Sequence, residues 1–451
     1  MNPQIFREYD IRGVVDKDLT EDVARQIGQA FGTYVQAVGK KNLVVGRDNR
    51  LSSERFANAV IDGLLSTGCN VVDVGLLPTP VFYYSIVHLQ KDGGIMITGS
   101  HNPPDFNGFK VCEGYASIYG EKIQRLKRII QSGRFAKGKG KLDRAETVDS
   151  YCSYLKSRID IKREVKVVLD AGNGTTGAVA PDLIEAIGCR VKRLYCDLDG
   201  NFPNHFPDPT IPEYLKDLTQ VVRGEKAELG VAYDGDGDRI GVVDDKGRIV
   251  WGDRLLILFS RQILKQKKGA KIIFDVKCSQ ALMEDVKKHG GVPIMWKTGH
   301  SLIKEKLRQE GALLAGEMSG HMFFADRYYG YDDAIYASCR LLEILSQSNR
   351  ALSELLKDVP LYFATPEIRV PCPDEEKFKV VEQVKRYFQS RYNTIDVDGV
   401  RILFDDGWGL IRASNTQPIL VLRFEARTEQ GLEEIRETIT GKLREFSSVS
   451  L

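Results

Sequence analysis

One order of elements recurs three times along this chain, and it restricts the possible folds more than any other feature. An apolar run opens each unit, at residues 43–45, 165–169 and 272–274. A helical segment follows, and then a glycine leads into a second apolar run, at 68–74, 188–194 and 291–295. A third run ends in a polar loop that contains glycine. These loops read Thr98-Gly99-Ser100-His101-Asn102-Pro103, Asp234-Gly235-Asp236-Gly237-Asp238-Arg239 and Gly316-Glu317-Met318-Ser319-Gly320-His321. Apolar runs alternating with helices indicate βαβ units and a largely parallel sheet. A fixed order of elements is the signature of an internal repeat. Ligands of open α/β sheets sit beyond the carboxyl ends of the strands, which is where the three loops fall.

The repeat predicts three similar mixed, largely parallel α/β domains, at 1–141, 148–246 and 247–358. Gly and Lys alternate through 133–141, which reads as a solvated linker. After Pro360 the composition changes, with prolines at 366, 371 and 373. A helix over 374–390, strand-like runs at 399–404, 408–413 and 419–426, and a helix over 430–446 predict a C-terminal α+β domain at 361–451. The 64 Lys and Arg against 62 Asp and Glu leave a net charge of +2, so there is no basic excess to bind nucleic acid. The longest dense apolar run, near 255–259, is too short to span a bilayer. The N-terminus lacks a signal-peptide layout, and the eight cysteines are scattered without a CxxC pair. A soluble cytoplasmic protein with reduced thiols is therefore expected.

Each loop carries its own chemistry. Asp234, Asp236 and Asp238 set three carboxylates at alternate positions, and the intervening glycines let the backbone curl around one point. Three like charges so close require a cation, and oxygen ligands suit a hard ion such as Mg²⁺. An EF-hand is excluded, because Arg239 stands where that loop needs glycine and a strand follows instead of a helix. Ser100, beside His101, is a nucleophile candidate. No GxSxG elbow supports acyl transfer, so phosphoryl transfer near a metal loop is the better chemistry. Glu317 and Ser319 are spaced to grip adjacent sugar hydroxyls. Arg412, Ser414, Asn415 and Thr416, with Arg423 on the next strand, can cradle a dianionic phosphate. The loop Ala171-Gly172-Asn173-Gly174-Thr175 lacks the Lys of a Walker A motif and reads as a close strand–helix turn. His101, His300 and His321 lie in Gly/Ser loops, and Lys277 falls just beyond a predicted strand.

Together with Phe6-Arg7-Glu8-Tyr9-Asp10-Ile11-Arg12-Gly13, these four loops in this order resemble the α-D-phosphohexomutase family over essentially the whole chain. The resemblance implies a fourth domain of the TATA-box-binding-protein-like class and an active cleft between the domains. It implies that Ser100 is a phosphoserine. Asp234, Asp236 and Asp238 would hold Mg²⁺ with an oxygen of that phosphoserine. Glu317 and Ser319 would read the sugar, and the Arg412–Arg423 group would clamp the distal phosphate. Tyr9, Arg12, Lys110, Arg239, Lys277, His300 and His321 fall at cleft positions. The implied reaction is mutation of hexose 1-phosphate and hexose 6-phosphate, of mannose or glucose, through a hexose 1,6-bisphosphate. Lys110 and His101 are both candidates to handle the substrate proton.

Two departures from the family pattern stand out. Gly99 replaces the more usual Ala, which is expected to loosen the serine loop. Gln417 leaves the clamp one charge less acidic. Met318 argues against a phosphoglucosamine mutase, where Gln is usual. A non-catalytic phosphosugar binder would need neither Ser100 nor the three aspartates, and an aspartyl-phosphate phosphatase would leave Ser100 and the clamp without a purpose. The sugar preference, pathway and oligomeric state stay open, with a monomer as the default.

Overall fold

The computed structural model describes residues 2–415 and 417–450. Three sheets share one strand order. In the first, strand Asn42–Arg47 lies between Asn70–Leu76 and Gly93–Ile97 and is parallel to both, and Phe106–Glu113 returns antiparallel beside Gly93–Ile97. In the second, Lys166–Asp170 lies between Arg190–Leu194 and Leu229–Tyr233, with Ile240–Asp244 returning. In the third, Lys271–Asp275 lies between Val292–Trp296 and Leu314–Gly316, with Met322–Phe324 returning. The repeat seen in the sequence is thus a repeat of topology. In every unit, the chemistry-bearing loop joins the third strand to its antiparallel fourth.

Central strands such as Gly93–Ile97 and Leu229–Tyr233 are buried at every residue. Continuous apolar runs are what a sheet covered on both faces demands. The covering helices bury one stripe. Helix Glu21–Gln36 puts Val23, Ile27, Phe31 and Tyr34 inward, and Thr20 caps its start by accepting from the Val23 N–H at 3.3 Å. Full burial of each large apolar side chain contributes about 1.5–3 kcal/mol.

In the stretch 133–141 the lysines are exposed, as expected of a solvated connection, but the backbone is pinned to the first unit. The Gly138 and Gly140 N–H groups donate to the Ser66 and Leu65 carbonyls, both at 2.9 Å, and Leu142–Arg144 then pairs in parallel with Asn70–Leu76. Its glycines permit that close approach to the backbone of residues 66–69.

One hydrophobic core runs through all three units and joins Tyr83, Leu169, Phe274 and Tyr331. The C-terminal unit differs. Its sheet is entirely antiparallel, in the order Phe363–Ala364, Ile419–Ala426, Gly407–Ala413, Val400–Leu403, Asn393–Ile395, and Ile368–Pro371 also pairs with Ile419–Ala426. Side chains alternate between the two faces. Val400, Ile402, Ile411, Leu420, Leu422 and Phe424 form a separate core beneath helices Asp374–Gln389 and Glu429–Leu443. The opposite face carries Arg401, Trp408, Leu410, Arg412, Arg423 and Glu425 toward the rest of the molecule. Its apolar contact with the third unit centres on Trp408 and Leu410 against Val276, with Met295 of the third unit and Val397 and Leu403 of the C-terminal unit packed around them. Among the described residues, no helix is long and apolar enough to cross a membrane, and all eight cysteines are free.

Candidate active site

The three loops and the open face of the C-terminal sheet surround one cleft of about 1490 Å³. Tyr9, Arg12, His101, Arg239, Lys277, His300, Glu317, Ser319, His321, Arg412, Ser414, Asn415 and Arg423 line it. Ser100, Lys110, Asp234, Asp236 and Asp238 are buried against this lining. Thr416 lies outside the described residues.

Ser100 sits at φ +50, a conformation that costs energy for a residue with a Cβ. Arg50 holds it there. The buried guanidinium donates to four carbonyls of the same loop: Ser100 at 2.8 Å, Asn102 at 2.5 Å, Pro103 at 2.5 Å and Phe106 at 3.0 Å. Asp48 pairs with Arg50 at 3.2 Å and accepts the Gly99 N–H at 3.1 Å. The loop is therefore strapped, contrary to the loosening expected of Gly99. A Cβ at residue 99 would stand 2.5 Å from the Arg50 guanidinium carbon, so glycine is what lets Arg50 pack this closely. Arg50 was missed in the sequence reading; its role depends on a distant loop that no local motif reveals.

The Ser100 hydroxyl donates to Asp234 Oδ2 at 2.9 Å and lies 3.1 Å from His101 Nδ1. Asp234 uses its other oxygen to close its own loop, accepting the Gly237, Asp238 and Arg239 N–H groups at 3.0–3.1 Å. Asp236 accepts from the Thr79 hydroxyl at 2.6 Å. Lys110 reaches between the carboxylates, donating to Asp236 at 2.6 Å and also to Asp238. Carboxylate oxygens of Asp234, Asp236 and Asp238 lie within 4.8 Å of one another. Asp236 Oδ1 and Asp238 Oδ1 are buried without a hydrogen-bond partner among the described residues, with His321 Nδ1 3.5 Å from Asp238 Oδ1. Such orphaned acceptors are costly, and an all-oxygen set of this kind fits a hard divalent cation.

Burial and then the neighbouring Asp238 and Asp236 push the Asp234 carboxyl above its ordinary range. Burial opposes the charge on Lys110, but Asp236 and Asp238 outweigh it and keep the ammonium protonated. Burial, helped by Arg239 and Arg12, holds His101 neutral, and burial with Lys304 does the same to His300.

The second and third loops are stitched together, with the Ile240 N–H donating to the Gly320 carbonyl at 3.1 Å. Arg239 Nε donates to His321 Nε2 at 3.0 Å. A guanidinium only donates, so the His321 proton sits on Nδ1, which faces Asp332 Oδ2 at 3.1 Å. Asp332 also accepts from the buried Lys304 at 2.9 Å. Neither Asp332 nor Lys304 was singled out from the sequence. Lys304 follows His300 by one helical turn on helix His300–Glu310, a periodicity that could have indicated it.

Glu317 accepts from the Gly299 N–H at 2.7 Å and from the Ser319 hydroxyl at 2.9 Å, so the two expected sugar readers touch each other. On the C-terminal unit, Arg412 Nε donates to Asp398 at 2.9 Å, and the Gln417 N–H donates to the Ser414 hydroxyl at 3.2 Å. Lys277 pairs with Glu367 at 3.1 Å. Arg12 is turned toward Asp10 at 2.5 Å. His300 is the first residue of its helix and not part of a loop.

An acidic triad, a strapped serine and a multi-domain cleft rich in cations define the class as a phosphosugar-handling enzyme. Models of the phosphoglucomutase/phosphomannomutase family match in chain order: α/β/α domain I at 3–137, domain II at 149–247, domain III at 251–362 and the C-terminal domain at 367–442. A phosphomannomutase/phosphoglucomutase of Pseudomonas aeruginosa is 48% identical over 98% of this chain and 96% of its own. A phosphoglucomutase of Neisseria gonorrhoeae is 45% identical over 96% and 95%. The crystal structure of a phosphoglucomutase/phosphomannomutase family protein of Burkholderia thailandensis superposes with TM-score 0.94 at 45% identity, covering 99% of this chain and 98% of that one. The chain belongs to the phosphoglucomutase/phosphomannomutase family of α-D-phosphohexomutases. It is an isomerase, a hexose-phosphate mutase.

Proposed function

We propose that the enzyme interconverts the 1- and 6-phosphates of mannose, glucose or both, with Ser100 as the phosphoryl carrier. The observation that carries this is the 2.9 Å contact between Ser100 and Asp234, which joins the nucleophile to the acidic triad inside a cleft with a separate cationic clamp. In the forward step the free hydroxyl oxygen of the hexose monophosphate attacks the phosphorus on Ser100. The P–Oγ bond breaks, and the serine oxygen takes up the proton lost by the hydroxyl. The resulting 1,6-bisphosphate reorients, and its other phosphoryl group returns to Ser100. A bisphosphate of the same kind would prime the free serine.

Asp234, Asp236 and Asp238 would hold Mg²⁺ with the phosphoryl oxygen on Ser100. When bound, the ion supplies positive charge to the transferring group. Arg239, oriented by His321, adds positive charge, and Lys110 supplies a fixed ammonium. His101 is neutral and 3.1 Å from Ser100, which favours it as the group that moves the proton. Glu317 and Ser319 read adjacent hydroxyls. Arg412, Ser414, Asn415, Thr416, Arg423 and Lys277, with Tyr9, Arg12 and His300 around the cleft, hold whichever phosphate is not reacting. The four working units are 1–141, 148–246, 247–358 and 361–451, and the free thiols support a reducing, cytoplasmic setting.

A side-by-side assay of mannose 1-phosphate, glucose 1-phosphate and glucosamine 1-phosphate tests the substrate reading. Turnover of the neutral hexoses is expected to dominate, since Met318 lines the cleft. A strong preference for the amino sugar overturns it.

A further inference from the structure

Arg401 is fully buried, yet its charge has no counterpart in the reaction described above. It lies on the C-terminal strand Val400–Leu403, and its guanidinium rests 3.5 Å from the centroid of the Trp408 ring. One of its nitrogens, Nη1, donates to two carbonyls of the third unit, Val276 and Cys278, both at 2.8 Å. Its Nε and Nη2 groups find no hydrogen-bond partner among the described residues.

A buried cation with unsatisfied donors is expensive. An apolar side chain of similar length would fill the space and still cover Trp408, but it would leave the two buried carbonyls without a donor. Those carbonyls flank a single residue, Lys277. The Lys277 ammonium in turn donates to Glu367 Oε2 at 3.1 Å, on the approach to strand Ile368–Pro371. Lys277 follows a strand of the third unit, but the C-terminal unit holds it at both ends, through Arg401 at its backbone and Glu367 at its ammonium. A further tie runs alongside: Glu425 accepts both the Trp408 indole N–H at 2.8 Å and the Gln280 N–H at 2.9 Å.

We infer that Arg401 is a positioning residue that makes Lys277 part of the phosphate clamp, so that the lysine takes its place only when the C-terminal sheet is docked. Within the third unit the Lys277 N–H donates to Asp275 Oδ1 at 3.2 Å and its ammonium lies 3.8 Å from Asp275, while the Val276 and Cys278 carbonyls are held from the C-terminal unit by two directed hydrogen bonds from a stacked guanidinium. This rests on the reading of Lys277 as a substrate cation.

The test is a double-mutant cycle on the full-length enzyme, with R401M and K277M, read as kcat/KM for glucose 1-phosphate. Arg401→Met alone is expected to lower kcat/KM about tenfold, mainly through KM, as coupled neighbours do. In the K277M background the same change is expected to cost less than about twofold. Equal losses in both backgrounds overturn the inference. R401K, which keeps the charge and one donor, is expected to fall between R401M and the parent, and it serves the same cycle if R401M does not fold. A second readout does not use activity. Acylation of lysines by a succinimidyl ester, mapped by mass, is expected to rise several-fold at Lys277 in the Arg401 variants and to stay constant at the distant Lys226. Unchanged labelling of Lys277 overturns the inference. K277M with parental kinetics would instead overturn the reading of Lys277 as a substrate cation, and the labelling would still report on Arg401.

Discussion

The Ser100 hydroxyl donates to Asp234 at 2.9 Å, across a separation of 134 residues, and so ties the serine loop of the first sheet to the acidic loop of the second. Ser100→Ala removes that bond and the phosphoryl acceptor together. The three sheets share a core that does not depend on this hydroxyl, so the fold should persist. Turnover is expected to fall by at least about 10³-fold, the order seen when a nucleophile is lost. Intact-mass measurement after incubation with glucose 1,6-bisphosphate should find one added phosphoryl group on the parent and none on the variant. A fully active S100A sinks the mechanism.

Gly99→Ala should be harmful. The added methyl would meet the Arg50 guanidinium at 2.5 Å, and Arg50 is held by four carbonyls and Asp48. Either the guanidinium or the serine loop must shift. Overpacking of this kind costs about 1–3 kcal/mol. Calorimetry should show a lower Tm, together with a kcat loss larger than any change in KM. An unchanged Tm and kcat would mean that the strap yields freely.

Much of this was legible in the sequence, for a physical reason. The largely parallel sheets follow from the repeat because successive apolar runs joined by a helix run in the same direction, and each polar loop must leave the carboxyl end of a strand; that the first run of each unit lies between the other two is not legible there. Ser100, the three aspartates and Glu317 stand out because their chemistry is concentrated within a few residues. Arg50, Arg401, Lys304 and Asp332 do not stand out. Each acts on a partner more than 25 residues away: Arg50 on Pro103, Arg401 on Val276, and Lys304 on Asp332. A lone Arg or Lys looks like surface until the partner is known, whether in a loop like Arg50, a strand like Arg401 or a helix like Lys304. The glycines at 138 and 140 belong to an exposed connection, as expected, but their close contact with the backbone of residues 67–69 is not legible locally.

Metal binding should be measurable without turnover. Asp236 Oδ1 and Asp238 Oδ1 are buried and have no hydrogen-bond partner among the described residues, and a cation that satisfies them binds the folded state alone. Added Mg²⁺ should raise the Tm of chelator-treated protein in a concentration-dependent way, by about 2.7 kcal/mol of stability at one hundred times Kd. Asp236→Asn should abolish this rise and Mg²⁺-dependent activity together. A rise that survives in the variant places the cation elsewhere.

His205 gives the second unit a pH-dependent contact. Burial works against its charge, but the hydrogen bond and charge of Asp170, 3.1 Å away, outweigh it and raise the imidazole above its ordinary value near 6.5. The folded state therefore holds this proton more tightly than the unfolded chain. The stabilisation is complete below about 6.5 and is lost as pH rises through the raised folded value. Unfolding midpoints in urea should decline from pH 6 toward pH 8 in the parent. In His205→Gln this component of the slope should vanish. An identical slope in both proteins excludes His205 as its source.

Tyr9 provides the last test, because one hydroxyl connects three units. It donates to the Thr298 carbonyl of the third unit at 2.9 Å and accepts from Asn415 of the clamp at 2.6 Å, while its ring belongs to the first unit. Burial is the main reason that the phenol stays protonated, so it acts as a hydrogen-bond bridge and not as an acid. The clamp itself has few other ties to the first unit, since its core is separate. Tyr9→Phe keeps the ring and removes both bonds, at about 0.5–1.5 kcal/mol each. The cost should appear where docking of the clamp matters, as a KM for hexose phosphates raised about tenfold with kcat changed much less. Small-angle scattering should show a larger radius of gyration for the ligand-free variant and recovery of the parental value at saturating glucose 1-phosphate. If kcat falls while KM stays constant, Tyr9 serves the chemical step, and the bridging role is wrong.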